Sequence, residues 1–206
     1  MMKLSTRKLV QLALLTGIEI LFAFTVFGSI PIGPIVATLA HIPVIIAAIY
    51  LGYGAGAYMG FLFGLLSFIV HSFVTPGPTS FVFTPLYSIG EVGGNFWSLV
   101  ICFVPRILLG ISTTFIYTLI AKFDKKKFIA SGVAAVVGTL IHTGLVLGGI
   151  YVFFGESYAA VIGAAFELLF TMIMGVVATN GIPEALIAGF VAVALAKPMT
   201  LLNHKV

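Results

Sequence analysis

Residues Phe96 to Lys127 read FWSLVICFVPRILLGISTTFIYTLIAKFDKKK. As far as Ala121 the run is apolar apart from hydroxyls and one charge, Arg106. Lysines then crowd in at Lys122, Lys125, Lys126 and Lys127. A bilayer's hydrocarbon core is about 30 Å thick and takes about 20 apolar helical residues to cross. A lysine cluster at the end of such a run marks the cytoplasmic face. The arginine inside Cys102-Phe103-Val104-Pro105-Arg106-Ile107-Leu108-Leu109-Gly110 is harder to account for. Its guanidinium stays charged, and at bilayer depth that costs several kcal/mol.

The rest of the chain agrees with a membrane reading. Hydrophobic residues make up 61% and charged residues 8% of the 206 residues. A soluble domain carries about 45–50% and about 25%, so too few charges are present to build a water-soluble surface. The expectation is an all-α integral membrane protein forming one domain, residues 1–206, with room for about six spans. Cys102 is the only cysteine, which excludes an intramolecular disulfide. Met1–Val10 carries the basic flank of a signal peptide, but the apolar run continues to Phe27 without a small-residue cleavage site. It reads as a retained first span.

Breaks and charges set the expected topology. The first span covers Lys8–Phe27 and ends at Ser29-Ile30-Pro31-Ile32-Gly33-Pro34. A short second run, Ile35–Leu51, reads as a tilted or partly re-entrant span, and Ala55–Val74 as the third. Thr75–Asn95 carries three prolines and four glycines and reads as a long functional connection. The fourth span is Phe96–Ala121 and the fifth Phe128–Phe154, closed by a turn at Gly155-Glu156-Ser157. Ala159–Ala178 is apolar but is interrupted by Thr179–Glu184, ahead of a last span at Ala185–Leu202. The positive-inside rule places Lys3, Arg7 and Lys8, the lysine loop at 122–127, and Lys197 with Lys205 on one side. An even number of crossings must separate these groups, so Ala159–Ala178 is expected to lie on the outer surface or re-enter. The result is six transmembrane helices with both termini cytoplasmic. Nine of the ten basic residues then have a topological reason, and Arg106 is the exception. It lies about ten residues, or ~15 Å, from the outer end of its helix.

The chain has no G-x-x-x-x-G-K-[ST] phosphate cradle, and G-x-S-x-G, H-E-x-x-H and C-x-x-C are also missing. Any ATP-driven process therefore needs partner subunits, and no catalytic or metal residue is assigned. His41, His71 and His142 are far apart in sequence and read as packed histidines. For Arg106 two readings stand. One is structural, with Glu91, Glu167, Glu184 or backbone carbonyls as partners. The other is a cavity-facing fork for an anionic substrate group, since a guanidinium binds a carboxylate bidentately. Glu19 lies inside the first span as a structural carboxyl or a proton relay. Ala13 and Gly17, four residues apart, offer a small-residue face for internal packing or for a partner helix.

TLAHIPVIIAAIYLGYGAGAYMGFLFGLLS (Thr38–Ser67), TSFVFTPLYS (Thr79–Ser88), PRILLG (Pro105–Gly110), GTLIHTGLVLG (Gly138–Gly148) and NGIPEA (Asn180–Ala185) together resemble the substrate-binding S components of energy-coupling factor (ECF) vitamin transporters. The combination is most similar to the pantothenate-type members. The resemblance implies a six-helix subunit that binds a vitamin on its outer side. It also implies association with a transmembrane coupling subunit and two ATPase subunits, which would bind the ATP. No cofactor or nucleic acid is implied, and the partners are those subunits, the vitamin and the bilayer. Arg106 would then hold a carboxylate. Asn95, Thr79, Ser80, Tyr87, His142, Asn180 and Glu184 are the polar residues expected around the ligand, and Ala13 and Gly17 the partner-helix contact. A start of Met1-Met2-Lys3 lacks the N-terminal histidine of the nickel and cobalt branch. Riboflavin, folate or a similar vitamin stays open as ligand, as does a self-sufficient homodimeric carrier using Glu19 or Glu167. An intramembrane enzyme finds no motif.

Overall fold

The structure is a computed structural model describing residues 6–25, 28–32 and 35–204. Lys3, Phe27, Gly33, Pro34 and Lys205, used in the span and charge reading, lie outside the described residues. The chain is all-α apart from two small hairpins. Helix α1 (Thr6–Phe24) precedes the first hairpin, β1 (Ser29–Ile32) and β2 (Ile35–Thr38), with Ser29 opposite Thr38 and Ile32 opposite Ile35. Then follow α2 (Ile42–Leu51) and α3 (Tyr53–Ile69), the latter extended by a π-helical turn, Val70–Val74. The connection to α4 (Phe96–Ile120) holds a 3-10 turn at Ser80–Val82 and the hairpin β3 (Ser88–Ile89) and β4 (Val92–Gly93). Helix α5 (Phe128–Ile162) and α6 (Phe166–Val176) follow. A second π-helical turn, Val177–Gly181, joins α6 to α7 (Ile182–His204). Among the described residues, Tyr53–Val74, Phe96–Ile120, Phe128–Ile162 and Phe166–Pro198 are each long and apolar enough to cross a membrane.

Three span expectations are corrected. Ile35–Leu51 is not one tilted helix. Its β-branched start pairs as β2, and helix begins only at Ile42, with Pro43 in the first turn where a missing N–H costs nothing. Ten residues rise only about 15 Å, half a bilayer core. Secondly, Gly155-Glu156-Ser157 makes no turn. A glycine is tolerated inside a helix, and here a Cβ on Gly155 would press into the Phe166 ring, so its small size serves the α5–α6 contact. Helix α5 ends at Gly163, whose φ of +71° is the left-handed cap that favours glycine. Thirdly, Ala159–Ala178 is not a separate helix: its first residues end α5 and the rest, from Phe166, runs on into α7. Thr179–Glu184 does not break the last span, because residues 166–198 form one continuous helical rod. The π-helical turn absorbs Pro183: the Ile182 N–H reaches back five residues to the Val177 carbonyl, which widens the turn where proline cannot donate.

Backbone contact between α3 and α4 organises the bundle. Gly56, Gly60 and Gly64 recur every four residues along α3, so all three face one way. A Cβ on Gly56 would lie 2.9 Å from the Gly110 carbonyl oxygen, and one on Gly64 would lie 3.1 Å from that of Cys102. One on Gly60 would collide with the Arg106 carbonyl. Small residues let membrane helices approach this closely. Between the long helices sits α2, with Val44, Ala47 and Ala48 wholly inaccessible. It is tied by Thr114 Oγ1 donating to the Ala48 carbonyl at 2.9 Å and by the Tyr50 hydroxyl donating to the Ala192 carbonyl at 3.1 Å. In the lysine loop, the Asp124 carboxylate accepts the Ala130 N–H at 2.9 Å and the Lys126 N–H at 3.1 Å. The Ala130 N–H, with its neighbours, holds this carboxyl below the usual carboxylate range. The capping contribution is therefore complete above that range and is lost as pH falls through the lowered value.

The close approach at the α3–α4 seam and the open space at Gly144 of α5 predict different outcomes for two glycine substitutions. Gly60→Ala overpacks the seam and should cost about 1–3 kcal/mol, lowering the thermal midpoint in detergent. Gly144→Ala, where a Cβ meets nothing within 4 Å, should leave the midpoint unchanged or raise it.

Candidate functional site

Beneath the β1–β2 hairpin lies a cavity of about 250 Å³ whose walls include Phe22 of α1, Thr38 of β2, Phe63 and Ser67 of α3, His71 of the π-helical turn, and Arg106. Two features of the chain bring Arg106 here. The glycine seam holds α4 against α3, and α4 carries Pro105 immediately before the arginine. Proline has no N–H, so the Ile101 carbonyl loses the donor it would have found four residues on. Side chains on a helix lean toward its N-terminus, and Arg106 fills the vacancy. Its Nη1 donates to the Ile101 carbonyl at 3.2 Å and to the Cys102 carbonyl at 2.7 Å. Nη2 donates to Ser67 Oγ at 3.0 Å.

Aromatic faces complete the cage. The guanidinium carbon is 4.9 Å from the Phe63 ring centre and 5.3 Å from that of Phe83, inside the range of cation–π attraction. Only 6% of Arg106 is exposed. Its three hydrogen bonds use three of the five donors a guanidinium offers. Nε is buried with no hydrogen-bond partner among the described residues. None of the three glutamates weighed as partners bonds to it. Glu91 and Glu167 are exposed, and Glu184 Oε1 instead accepts the Thr38 N–H at 2.7 Å. The carboxylate in electrostatic range of Arg106 is Glu19, which is fully buried and whose oxygens have no hydrogen-bond partner.

Of the histidines, His71 lines the cavity, while His142 and His41 are not among its lining residues. His71 and His142 both lie in electrostatic range of Arg106, and His41 in range of His142. The His142 ring stands 6.0 Å from Phe63, and the His71 ring 4.7 Å from Phe83. His41 Nε2, His71 Nδ1 and His142 Nε2 are buried without hydrogen-bond partners. Among the described residues no three His, Cys, Asp or Glu side chains are grouped to hold a metal ion.

The other expected site residues are not among those lining the cavity. Asn95 caps α4: its Oδ1 accepts the Trp97 N–H at 2.8 Å, and Ser98 Oγ accepts the Asn95 N–H at 2.9 Å. Ser80 Oγ accepts the Gly77 N–H at 2.9 Å, and Thr79 opens the 3-10 turn. Tyr87 packs on the Phe81–Val82 cluster. Asn180 lies in the second π-helical turn, accepting from Thr179 Oγ1 at 2.8 Å. Glu184 reaches the site through Thr38, as the latch on β2. Ala13 and Gly17 are exposed on α1, and a Cβ on Gly17 would meet nothing within 4 Å. Ser67, Phe63, His71 and Thr38 did not emerge from the sequence as site residues. Only Pro105, adjacent to Arg106, carried a local signal.

Comparison with known proteins places this arrangement. The family described as "ECF transporter, substrate-specific component" matches residues 7–196. The chain belongs to this family. It is also 38% identical, over 172 residues, to the pantothenic acid transporter PanT of Lactococcus lactis subsp. cremoris (strain MG1363), covering 81% of this chain and 79% of that protein. As a substrate-specific component of an ECF transporter, the chain is a multi-pass cell-membrane protein and not an enzyme, and it works with the other subunits of its transporter.

The Glu184 latch has a measurable consequence. Replacing it with alanine leaves the Thr38 N–H without its acceptor. A hydrogen bond to a charged group is worth about 1.5–3 kcal/mol, so exchange of the Thr38 amide with solvent deuterium should quicken by about tenfold or more. Glu184→Gln, which keeps an acceptor, should show a smaller change.

Proposed function

We propose that this substrate-specific component binds pantothenate from the outer side of the membrane, with Arg106 receiving the carboxylate. The observation that carries the reading is a buried guanidinium lining a cavity with no carboxylate bonded to it. The 38% identity to a pantothenic acid transporter supports the choice of ligand. Pantothenate is a carboxylate with hydroxyls and an amide, and the cavity offers apolar walls alongside His71 and Ser67. In this reading His142 and His71 serve the hydroxyl and amide groups. Thr79, Ser80, Tyr87 and Asn180 belong to the outer shell, and Asn95 acts through the start of α4.

We infer six crossings with both termini cytoplasmic. Helix α1 is the first. β2 and α2 together make the second: four extended residues at about 3.3 Å each and ten helical ones at about 1.5 Å each approach the thickness of the core. Helices α3, α4 and α5 and the α6–α7 rod complete the count, and the lysine loop and the basic start of α1 then share one side, as the positive-inside rule requires. The chain has no phosphate cradle, so ATP is bound by partner subunits, which we take to be two ATPases joined through a transmembrane coupling subunit. The exposed small-residue face of α1 at Ala13 and Gly17 is the proposed contact for a coupling helix.

The test is binding by the purified protein to pantothenate, riboflavin, folate, biotin, thiamine and pyridoxine, by calorimetry or thermal shift. Pantothenate alone should bind tightly. Arg106→Ala removes two charge-assisted hydrogen bonds to the ligand and should weaken binding by about a hundredfold or more. Arg106→Lys keeps the charge but not the fork and should fall between. Equal affinity of wild type and Arg106→Ala would remove the carboxylate role. Tight binding of another vitamin would keep the family and change the substrate.

A further inference from the structure

We propose that Pro105 is a positioning residue for ligand recognition: by withholding an N–H from the Ile101 carbonyl it fixes the direction in which Arg106 presents its remaining donors. The inference rests on the reading that Arg106 receives the ligand's carboxylate. In an uninterrupted helix, the carbonyl at 101 accepts the amide of 105 and the carbonyl at 102 accepts that of 106. Proline leaves the first of these without its helical donor. Nη1 of Arg106 is drawn onto both carbonyls, at 3.2 Å and 2.7 Å, so one corner of the guanidinium is bound to the helix backbone.

The opposite corner is held by α3. Ser67 Oγ takes one N–H of Nη2 at 3.0 Å, and Ser67 stays within reach because Gly64, one turn earlier, packs directly against Cys102 and Phe103. With Nη1 committed to the backbone and Nη2 half-committed to Ser67, what remains is Nε–H and the second Nη2 hydrogen. Both lie in the plane of one guanidinium, and a fork of two such donors is what a carboxylate accepts bidentately. The Phe63 and Phe83 rings keep the plane from tipping. Pro105 touches no ligand in this account. It acts through the carbonyl it leaves open, and removing it lets the helix reclaim that carbonyl, loosening the fork without removing the charge.

The experiment compares pantothenate with pantothenol, the same molecule with a hydroxymethyl group in place of the carboxylate, on wild type, Pro105→Ala, Ser67→Ala and Arg106→Ala. Both Pro105→Ala and Ser67→Ala should lose about tenfold in pantothenate affinity, the worth of one hydrogen bond to a charged group. In Pro105→Ala, pantothenol affinity should stay within about twofold of wild type. In Pro105→Ala, the new amide at position 105 should also be strongly protected from hydrogen exchange, showing that it has taken the Ile101 carbonyl. Unchanged preference for pantothenate in Pro105→Ala, or equal loss of both ligands, overturns the positioning role. Should Pro105→Ala not fold, Pro105→Ser, which likewise restores an N–H at position 105, decides by the same pattern. Arg106→Ala separates the two levels. If it retains the wild-type preference for the carboxylate, the reading of the site itself fails; if it loses the preference while Pro105→Ala keeps it, only the positioning role fails.

Discussion

A side chain on Gly60 would collide with the Arg106 carbonyl, and one on Gly110 with the backbone of Gly56. Helices α3 and α4 are thus in backbone contact at several levels, and this approach governs what the rest of the bundle does. It brings Ser67 of α3 within 3.0 Å of an arginine on α4, and it lets Cys102 Sγ donate to the Gly64 carbonyl at 3.3 Å. It also leaves α2 as a short helix between longer ones, its hydroxyl-to-carbonyl ties to α4 and α7 serving where lipid provides no hydrophobic drive between helices. With bulkier residues along the seam, the arginine would stand apart from its serine.

The energetics of Arg106 follow from that enclosure. A buried guanidinium loses several kcal/mol of hydration, and such a loss is commonly offset by a carboxylate. Here the offset comes from two backbone carbonyls, one hydroxyl and two aromatic faces. All of these are neutral. They stabilise the cation without cancelling its charge. Glu19 lies in electrostatic range, and its carboxylate bonds to none of the guanidinium donors. A purely structural arginine gains most from a bonded carboxylate; one that must receive a carboxylate from outside gains from leaving that place open.

What the sequence made legible divides along physical lines. The membrane class, the long apolar helices and the anomaly at Arg106 come from composition and charge, which are local and additive. Helix α4 matched its expected bounds to within a residue because it runs between an Asn95 cap and a lysine loop. The failures were places where tertiary contact outweighs local signal. Gly155 looks like a turn until Phe166 is seen packed over it. Thr179–Glu184 looks like a break because proline usually ends a helix, yet a π-helical turn absorbs it. Ile35–Leu51 is apolar throughout, and apolar character alone cannot separate a strand plus a buried short helix from one tilted span. Of the residues lining the cavity, the sequence singled out Arg106 for a ligand, since Phe22, Thr38 and Ser67 reach it from elements that no spacing rule connects.

The hairpin and α2 show why that ambiguity matters to function. Extended backbone at membrane depth is tolerated only where protein buries it or it borders a polar cavity, because its N–H and C=O groups find no partner in lipid. With β2 in the second of six crossings, as proposed, it meets this condition in two ways: β1 pairs along it, and Glu184 takes the Thr38 N–H. A continuous helix in its place would satisfy every backbone group internally and fill the space with side chains. Giving up helix over four residues leaves both a cavity and a short backbone segment beside it, held to α7 by a single carboxylate. The same exchange occurs at Pro105, where a helical hydrogen bond is given up and an arginine takes the freed carbonyl. In both places the chain departs from regular structure next to the cavity, and a polar side chain meets the backbone group that the departure exposes.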